Sequence, residues 1–426
     1  MKVEKWTLGL AAVGLITLTP ALLAQTPAPA SIPMLTTLSA TTISGYVDTS
    51  AVWNPGTGNL HPAPYAFNAG KQDGFNLDAV DVKIAHPQEE TGWSAGYVAE
   101  LSYGNDAEII DSGAYPIRQA YVALHMPVGN GIDWEFGRFD NILGYESSDS
   151  YKNPNFSRSY AYSFEPTEHT GLLGSYNITS QLNIQLGVAD TVTTLDANGR
   201  TTGPSGTAIE SKKSFLSLLT YTAPDSWGAF KGSAFYAGFD YGQGAPRVNV
   251  PAFEMPVGLT PAKDKKELYI GTTLNTPVTG LTFGASWDAI FHNDVGGFDE
   301  SYFQSFCGYL SYKATDKLTL SGRAEYAQGM GLGAAAGTIP TEVADGEGFE
   351  TVERNIPLNK VFALTATAQY DLWANVITRL EVRWDHAANG NNAFGGRGTT
   401  DEFGDTEGLP TKKNEVMVAA NVIYKF

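Results

Sequence analysis

Residues 375–386 read NVITRLEVRWDH. Val376, Thr378, Leu380, Val382 and Trp384 fall on one face of an extended chain. Asn375, Ile377, Arg379, Glu381, Arg383 and Asp385 fall on the other. Successive side chains of a strand point to opposite sides, so this period-two pattern is a strand with one apolar and one charged face. Outward, the pattern repeats. In 317–326, Leu318, Leu320, Ala324 and Tyr326 oppose Thr319, Ser321, Arg323 and Glu325. In 281–292, Leu281, Phe283, Ala285, Trp287, Ala289 and Phe291 oppose Thr282, Ser286 and Asp288.

Sixteen such runs are expected: 43–54, 76–87, 93–104, 117–127, 132–143, 169–178, 182–192, 213–223, 228–242, 266–277, 281–293, 302–314, 317–329, 360–372, 375–387 and 415–426. Runs 213–223 and 228–242 alternate weakly, and Arg138 interrupts 132–143. The connections between runs alternate strictly between short and long. A transmembrane barrel with short periplasmic turns and long external loops sorts its connections this way. No water in the hydrocarbon layer can satisfy an open strand edge, so the sheet must close on itself. The expected fold is all-β: a closed antiparallel transmembrane β-barrel of about sixteen strands, over residues 43–426.

Composition and termini agree. The start, MKVEKWTLGLAAVGLITLTPALLAQ, has basic residues, a short apolar run and small residues after Pro20. It reads as a secretory signal peptide over 1–24, followed by a Pro/Ala/Thr-rich linker over 25–42. Cys307 is the sole cysteine, so no intramolecular disulfide framework exists. The formal charge of −18 argues against nucleic acid as a partner. Trp93, Trp134, Trp227 and Trp373 lie at or near short turns, where an indole prefers the headgroup level. The last strand places Val416, Val418, Ala420, Val422, Tyr424 and Phe426 on one face. Tyr424 and the terminal aromatic Phe426 resemble the assembly signal of outer-membrane barrels, which implies the barrel assembly machinery, membrane lipid and lipopolysaccharide as partners.

Sixteen strands are too many for side chains to fill the middle, so a water channel is expected unless loops plug it. Alternation assigns to the pore lining Asp48, Asp81, Lys83, Glu100, Asp288, Arg323, Glu325, Arg379, Glu381, Arg383, Asp385, Glu415 and Lys425. Eight acids against five bases imply a modest cation preference. The alternative reading is a set of solvated wall residues and strand-to-strand ion pairs of small net value. The loop 144–168 is rich in Tyr and Phe and carries Glu146, Asp149, Lys152, Arg158 and Glu165. It is expected either to fold inward as a constriction or to pack on the rim or on a neighbouring subunit of a homotrimer.

Residues 117–178 include IRQAYVALHMPVGNGIDWEFGRFDNILGYE and then NPNFSRSYAYSFEPTEHTGLLGSY. These stretches resemble the β-barrel porin-2 family, the OmpL-like outer-membrane proteins. The resemblance implies a bacterial outer-membrane porin. The family's Phe-Thr-His-Thr-Gly bend reads Pro166-Thr167-Glu168-His169-Thr170-Gly171 here, with an extra acid.

Catalytic signals are missing. The six histidines lie far apart without metal-ligand spacing, and no GxSxG elbow occurs. No enzyme, metal or cofactor is expected. The acids at Asp345, Glu347, Asp401, Glu402, Asp405 and Glu407 read as solvated loop surface. The expected function is passive diffusion of small hydrophilic solutes and ions through an outer-membrane channel. A substrate-specific channel, for example for saccharides, and a non-channel barrel serving as adhesin or scaffold are the alternatives.

Overall fold

The structure is a computed structural model. It describes residues 40–56, 61–63, 71–110, 116–191, 211–243, 264–292, 301–329, 343–345, 348–350, 360–396, 399–400, 406–407 and 410–426. The expectations for the signal peptide and most of the linker lie outside these residues, as do those for Glu347, Asp401, Glu402 and Asp405.

Sixteen strands form one closed barrel. They are β1 Thr42–Trp53, β2 Gly74–His86, β3 Ser94–Tyr103, β4 Ile117–Met126, β5 Ile132–Asp140, β6 Glu168–Asn177, β7 Leu182–Ala189 and β8 Ser214–Thr222. The second half comprises β9 Ala234–Gln243, β10 Asp264–Asn275, β11 Leu281–His292, β12 Ser301–Lys313, β13 Leu318–Gly329, β14 Lys360–Trp373, β15 Val376–Ala387 and β16 Asn414–Lys425. Each strand pairs with the next, and β1 pairs antiparallel with β16, Tyr46 opposite Lys425. Gly45 and Phe426 exchange both backbone hydrogen bonds at 3.0 Å, so the last residue finishes the ring. Each of the sixteen barrel strands is thus paired on both sides, as a sheet in hydrocarbon requires.

The strands occupy the expected runs, with one notable correction. The run 228–242 starts only at Ala234, because Asp225–Phe230 forms a 3-10 turn. Gly228 (φ 60°) and Gly232 (φ 75°) adopt the left-handed conformation there, so the chain cannot run extended through them. The outer face carries the exposed apolar residues. In β15, Leu380 and Val382 are exposed while Arg379, Glu381, Arg383 and Asp385 between them are buried. Trp93, Trp227 and Trp373 are exposed at the short-turn end.

Two β-bulges alter the inner face. In the β3–β4 ladder, Glu100 faces Gln119 and Leu101 faces Ile117, so Arg118 is the extra residue of the bulge. In the β1–β2 ladder, Asp48 faces Ala79 and Thr49 faces Leu77, so Asp78 is the extra residue there. A bulge points two consecutive side chains to the same side. Arg118 with Gln119, and Asp78 with Ala79, are accordingly all buried.

Candidate channel and the loop folded inside it

The β5–β6 connection, residues 141–167, folds into the barrel and packs on the opposite wall. Three wall arginines hold its backbone. Arg379 donates to the carbonyls of Ser150 (3.0 Å) and Asn153 (2.9 Å). Arg323 donates to the carbonyls of Ser157 (2.7 Å) and Arg158 (3.0 Å), and Arg383 to that of Arg158 (2.6 Å). A guanidinium presents five donors in a rigid fork, suited to gripping carbonyls of a chain that lacks a regular partner.

Wall carboxylates take the loop's N–H groups. Glu381 accepts from the N–H of Phe156 (2.6 Å) and Ser157 (2.9 Å), and Glu325 from that of Tyr160 (2.8 Å). The Tyr160 hydroxyl donates to Asp385 at 2.7 Å, and Ser150 Oγ to Asp48 at 2.6 Å. Each of these wall charges thus meets a polar partner, the condition for tolerating its burial. Small inner-face residues make room: Ala327, Ala363, Ala387 and Ala419 form one apolar cluster with Phe156 and Tyr160 of the loop. Phe164 stacks on Phe303 (3.8 Å) and Tyr145 on Tyr309 (4.0 Å).

The loop tip is held on the near wall. Arg118 Nη1 lies 2.6 Å from Glu100 and 2.5 Å from Asp149, and its Nη2 lies 2.8 Å from Asp140. Lys152 pairs with Asp149 at 2.6 Å. Burial alone would raise the Asp149 carboxyl, but Arg118 and Lys152 outweigh it and hold it below the usual aspartate range. At the loop's other end the balance reverses. Burial first, then the neighbouring Asp288, Glu267 and Glu146 carboxylates, push Glu165 well above the usual glutamate range.

These positions correct the sequence reading of a water-washed wall. Asp48, Asp81, Glu100, Asp288, Arg323, Glu325, Arg379, Glu381, Arg383, Asp385 and Glu415 all face inward, but all are buried. Ten of them line the seat of the loop rather than open water, because the loop covers them, whereas Glu415 is covered by the β1–β2 connection, from which the Asn54 side-chain amide and the Ala63 N–H donate to it. Lys83, whose side chain is 34% exposed, still reaches solvent while pairing with Glu100 at 3.1 Å. Lys425 is half-buried, its ammonium 5.5 Å from the Tyr151 ring centre. Among the five loop charges, Lys152 is 52% exposed. Glu146 is held by Arg323 (2.7 Å), and Arg158 is turned into the loop against the Ser148 and Phe156 carbonyls. Tyr424 and Phe426 are exposed at the barrel seam.

Arg118 and Asp78 escaped the alternation reading because each is the extra residue of a bulge. Arg138, which interrupts its run, is buried beside Glu168 at 3.2 Å and donates to the Arg118 carbonyl at 3.0 Å. The acid inserted into the PTEHTG bend is thus that arginine's counter-charge.

Water-facing polar residues remain on the other side of the bore, toward the short-turn end. A cavity of about 530 Å³ is lined there by Lys83, Tyr121, Asp133, Glu135, Ser175 and Gln185, among others. Asp133 is 45% exposed there, bonded to His125 at 2.7 Å.

The sequence from residue 40 to 426 matches the family model described as "Putative beta-barrel porin-2, OmpL-like". The chain belongs to this family. It is an outer-membrane porin. No curated relative matches it. Solved structures with the same fold include the anion-selective porin from Comamonas acidovorans, with a TM-score of 0.54 at 12% identity, covering 91% of this chain and 99% of that one. The outer-membrane channel DcaP of Acinetobacter baumannii gives 0.53 at 13% identity, covering 91% and 97%. The trimer form of OmpT from Vibrio cholerae gives 0.52 at 12%, covering 91% and 99%. With the orientation of porins, the short turns of this porin are periplasmic and the cavity is its periplasmic vestibule.

Proposed function

We propose that this porin is a narrow diffusion channel for small hydrophilic solutes and ions, with a modest preference for cations set by the vestibule. The observation that carries the reading is the division of the bore. The loop packs on the wall of β11 to β16, whereas the inner face of β2 to β7 keeps an open cavity with Lys83, Asp133, Glu135 and Gln185 on its wall. Solutes pass on that side, beside the exposed Lys152. Preference for cations follows from Glu90, Asp133 and Glu135 facing the cavity against Lys83. Fixed wall charge concentrates counter-ions where a bore is narrow. The preference is modest because salt screens such charges over ~8–10 Å.

Purified protein in planar bilayers tests this. Stepwise conductance with a reversal potential on the cation side is expected, and a silent bilayer containing folded protein rejects the channel. We infer a homotrimer as the assembly, supported by the trimer form of the Vibrio cholerae relative. Native mass of the detergent-solubilised protein at one copy would reject it.

A further inference from the structure

The extracellular base of the inserted loop rests on an acidic belt that the channel reading does not use. Asp240 on β9 and Glu267 on β10 stand directly opposite each other. Asp288 on β11 lies beside them, and Glu165 from the end of the loop faces Asp288 and lies within the field of Glu267. All three wall acids have no exposed surface. Like charges directly opposite on a sheet repel. Buried, they do so with little screening.

The surrounding groups do not neutralise the belt. On β10, Lys265 lies 3.1 Å from Glu267 and also donates to the Phe164 carbonyl at 3.1 Å. On β6, His169 Nε2 lies 3.6 Å from Asp240 Oδ2, with no hydrogen bond formed. Arg138 is taken by Glu168. On β13, Arg323 is taken by Glu146 and Glu325. Tyr145, Tyr269 and Tyr309, which also lie nearby, bring no positive charge. Both oxygens of the fully buried Asp240 accept no hydrogen bond. A metal ion is not the answer: among the described residues, three ligand groups converge within 4.8 Å only at Asp81, Glu100 and Asp149, where Arg118 already sits.

We propose that this belt is a proton-sensitive latch: the loop's base stays docked while Glu165, Asp240, Glu267 and Asp288 hold protons between them, and lifts from β9–β11 as those protons are lost. The moving part is short. Glu165 packs over Gly144, at the other foot of the loop, and Phe164 beside it is held by its stack on Phe303 and by Lys265. Loss of protons turns Glu165 from a packed neutral group into a third or fourth negative charge facing fixed wall acids. The arginine-held middle of the loop, over 150–158, stays in place.

The chain carries its own reporter. Cys307 is its sole cysteine, is buried on the inner face of β12, and lies within the field of Asp288, Glu325 and Glu146. Its labelling by a small water-soluble maleimide is measured from about pH 6 to about pH 9, each rate divided by that of the urea-unfolded chain at the same pH. The wild-type ratio is expected to rise about tenfold or more, and to stay flat in Asp240→Asn/Asp288→Asn, whose belt cannot charge fully. Glu165→Gln, a loop substitution that spares the barrel wall, should also flatten it. A flat wild-type ratio overturns the latch, as does an equal rise in both variants. So does a rise that calcium suppresses and a chelator restores, since that marks a cation site instead. The labelling does not require conduction, so a silent channel would leave this result readable.

Discussion

Arg323 on β13 and Glu146 near the start of the inserted loop, 177 positions apart, meet at 2.7 Å with both side chains buried. The same guanidinium holds two loop carbonyls and Glu325. One wall side chain thus clamps both limbs of the loop, while Glu325 next to it takes the Tyr160 N–H.

Removing this clamp should widen the channel. Arg323→Ala leaves Glu146 buried without its cation and Glu325 with Arg383 alone, a loss of about 3–5 kcal/mol of docking stability. The barrel ladder itself is untouched, so the variant should still insert. Larger and noisier single-channel steps than wild type are expected in planar bilayers. Unchanged step size with folded protein would show that the loop does not limit conduction.

Selectivity should follow the vestibule and not the charged rows of β13 and β15. Asp133→Asn with Glu135→Gln should shift the reversal potential in a salt gradient toward zero. Substituting Thr378 or the lipid-facing Val382 should leave it unchanged. Glu381→Gln with Asp385→Asn should alter step size through the loop before it alters ion preference. A strong loss of cation preference in that last pair would return those acids to the water path.

The barrel was legible because lipid imposes a strict rule on every strand. The outward faces of β15 and β16 show it: Leu380, Val382, Val416 and Val422 are exposed where alternation put them. The inward fold of the loop was half legible, in the aromatic content of 144–168. What alternation could not supply was whether an inward charge meets water or protein. Glu381 and Lys83 occupy equivalent inward positions, yet one is covered by Phe156 and Ser157 and the other is open. That difference is set by a segment more than two hundred residues away. Arg118 and Asp78 were hidden for another reason, because a bulge is decided by the partner strand's register.

Assembly should depend on the closing strand. Tyr424 and Val422 are exposed on the outer face, and Phe426 closes the ring against Gly45. Val422→Asp or Tyr424→Asp puts a charge against lipid at a cost of up to ~2–4 kcal/mol near the midplane, falling toward the interface. Deleting Phe426 removes the two bonds to Gly45 and the terminal aromatic. Lower outer-membrane levels are expected for all three, read by fractionation. Normal levels of every variant would mean that the strand's outward face does not guide insertion.

The loop tip should respond to acid through Arg118. Asp149 is held below the usual aspartate range, so its docked state contributes stability that is complete above about pH 4. The contribution is lost as pH falls through the lowered folded value, because the released tip then binds the proton more tightly than the docked one. In Arg118→Met, Asp149 keeps Lys152 as a counter-ion but loses its strongest one, while Asp140 loses its guanidinium partner and Glu100 keeps only Lys83. Its carboxyl should then rise, and the tip should undock at a higher pH than in wild type. Arg118→Lys should fall between the two, since an ammonium keeps the charge but not the planar fork that reaches three acids at once. Conductance followed from neutral to acid pH reads this directly, with the noise onset moving upward in the order wild type, Arg118→Lys, Arg118→Met. An onset at the same pH in all three would show that Arg118 does not hold the tip.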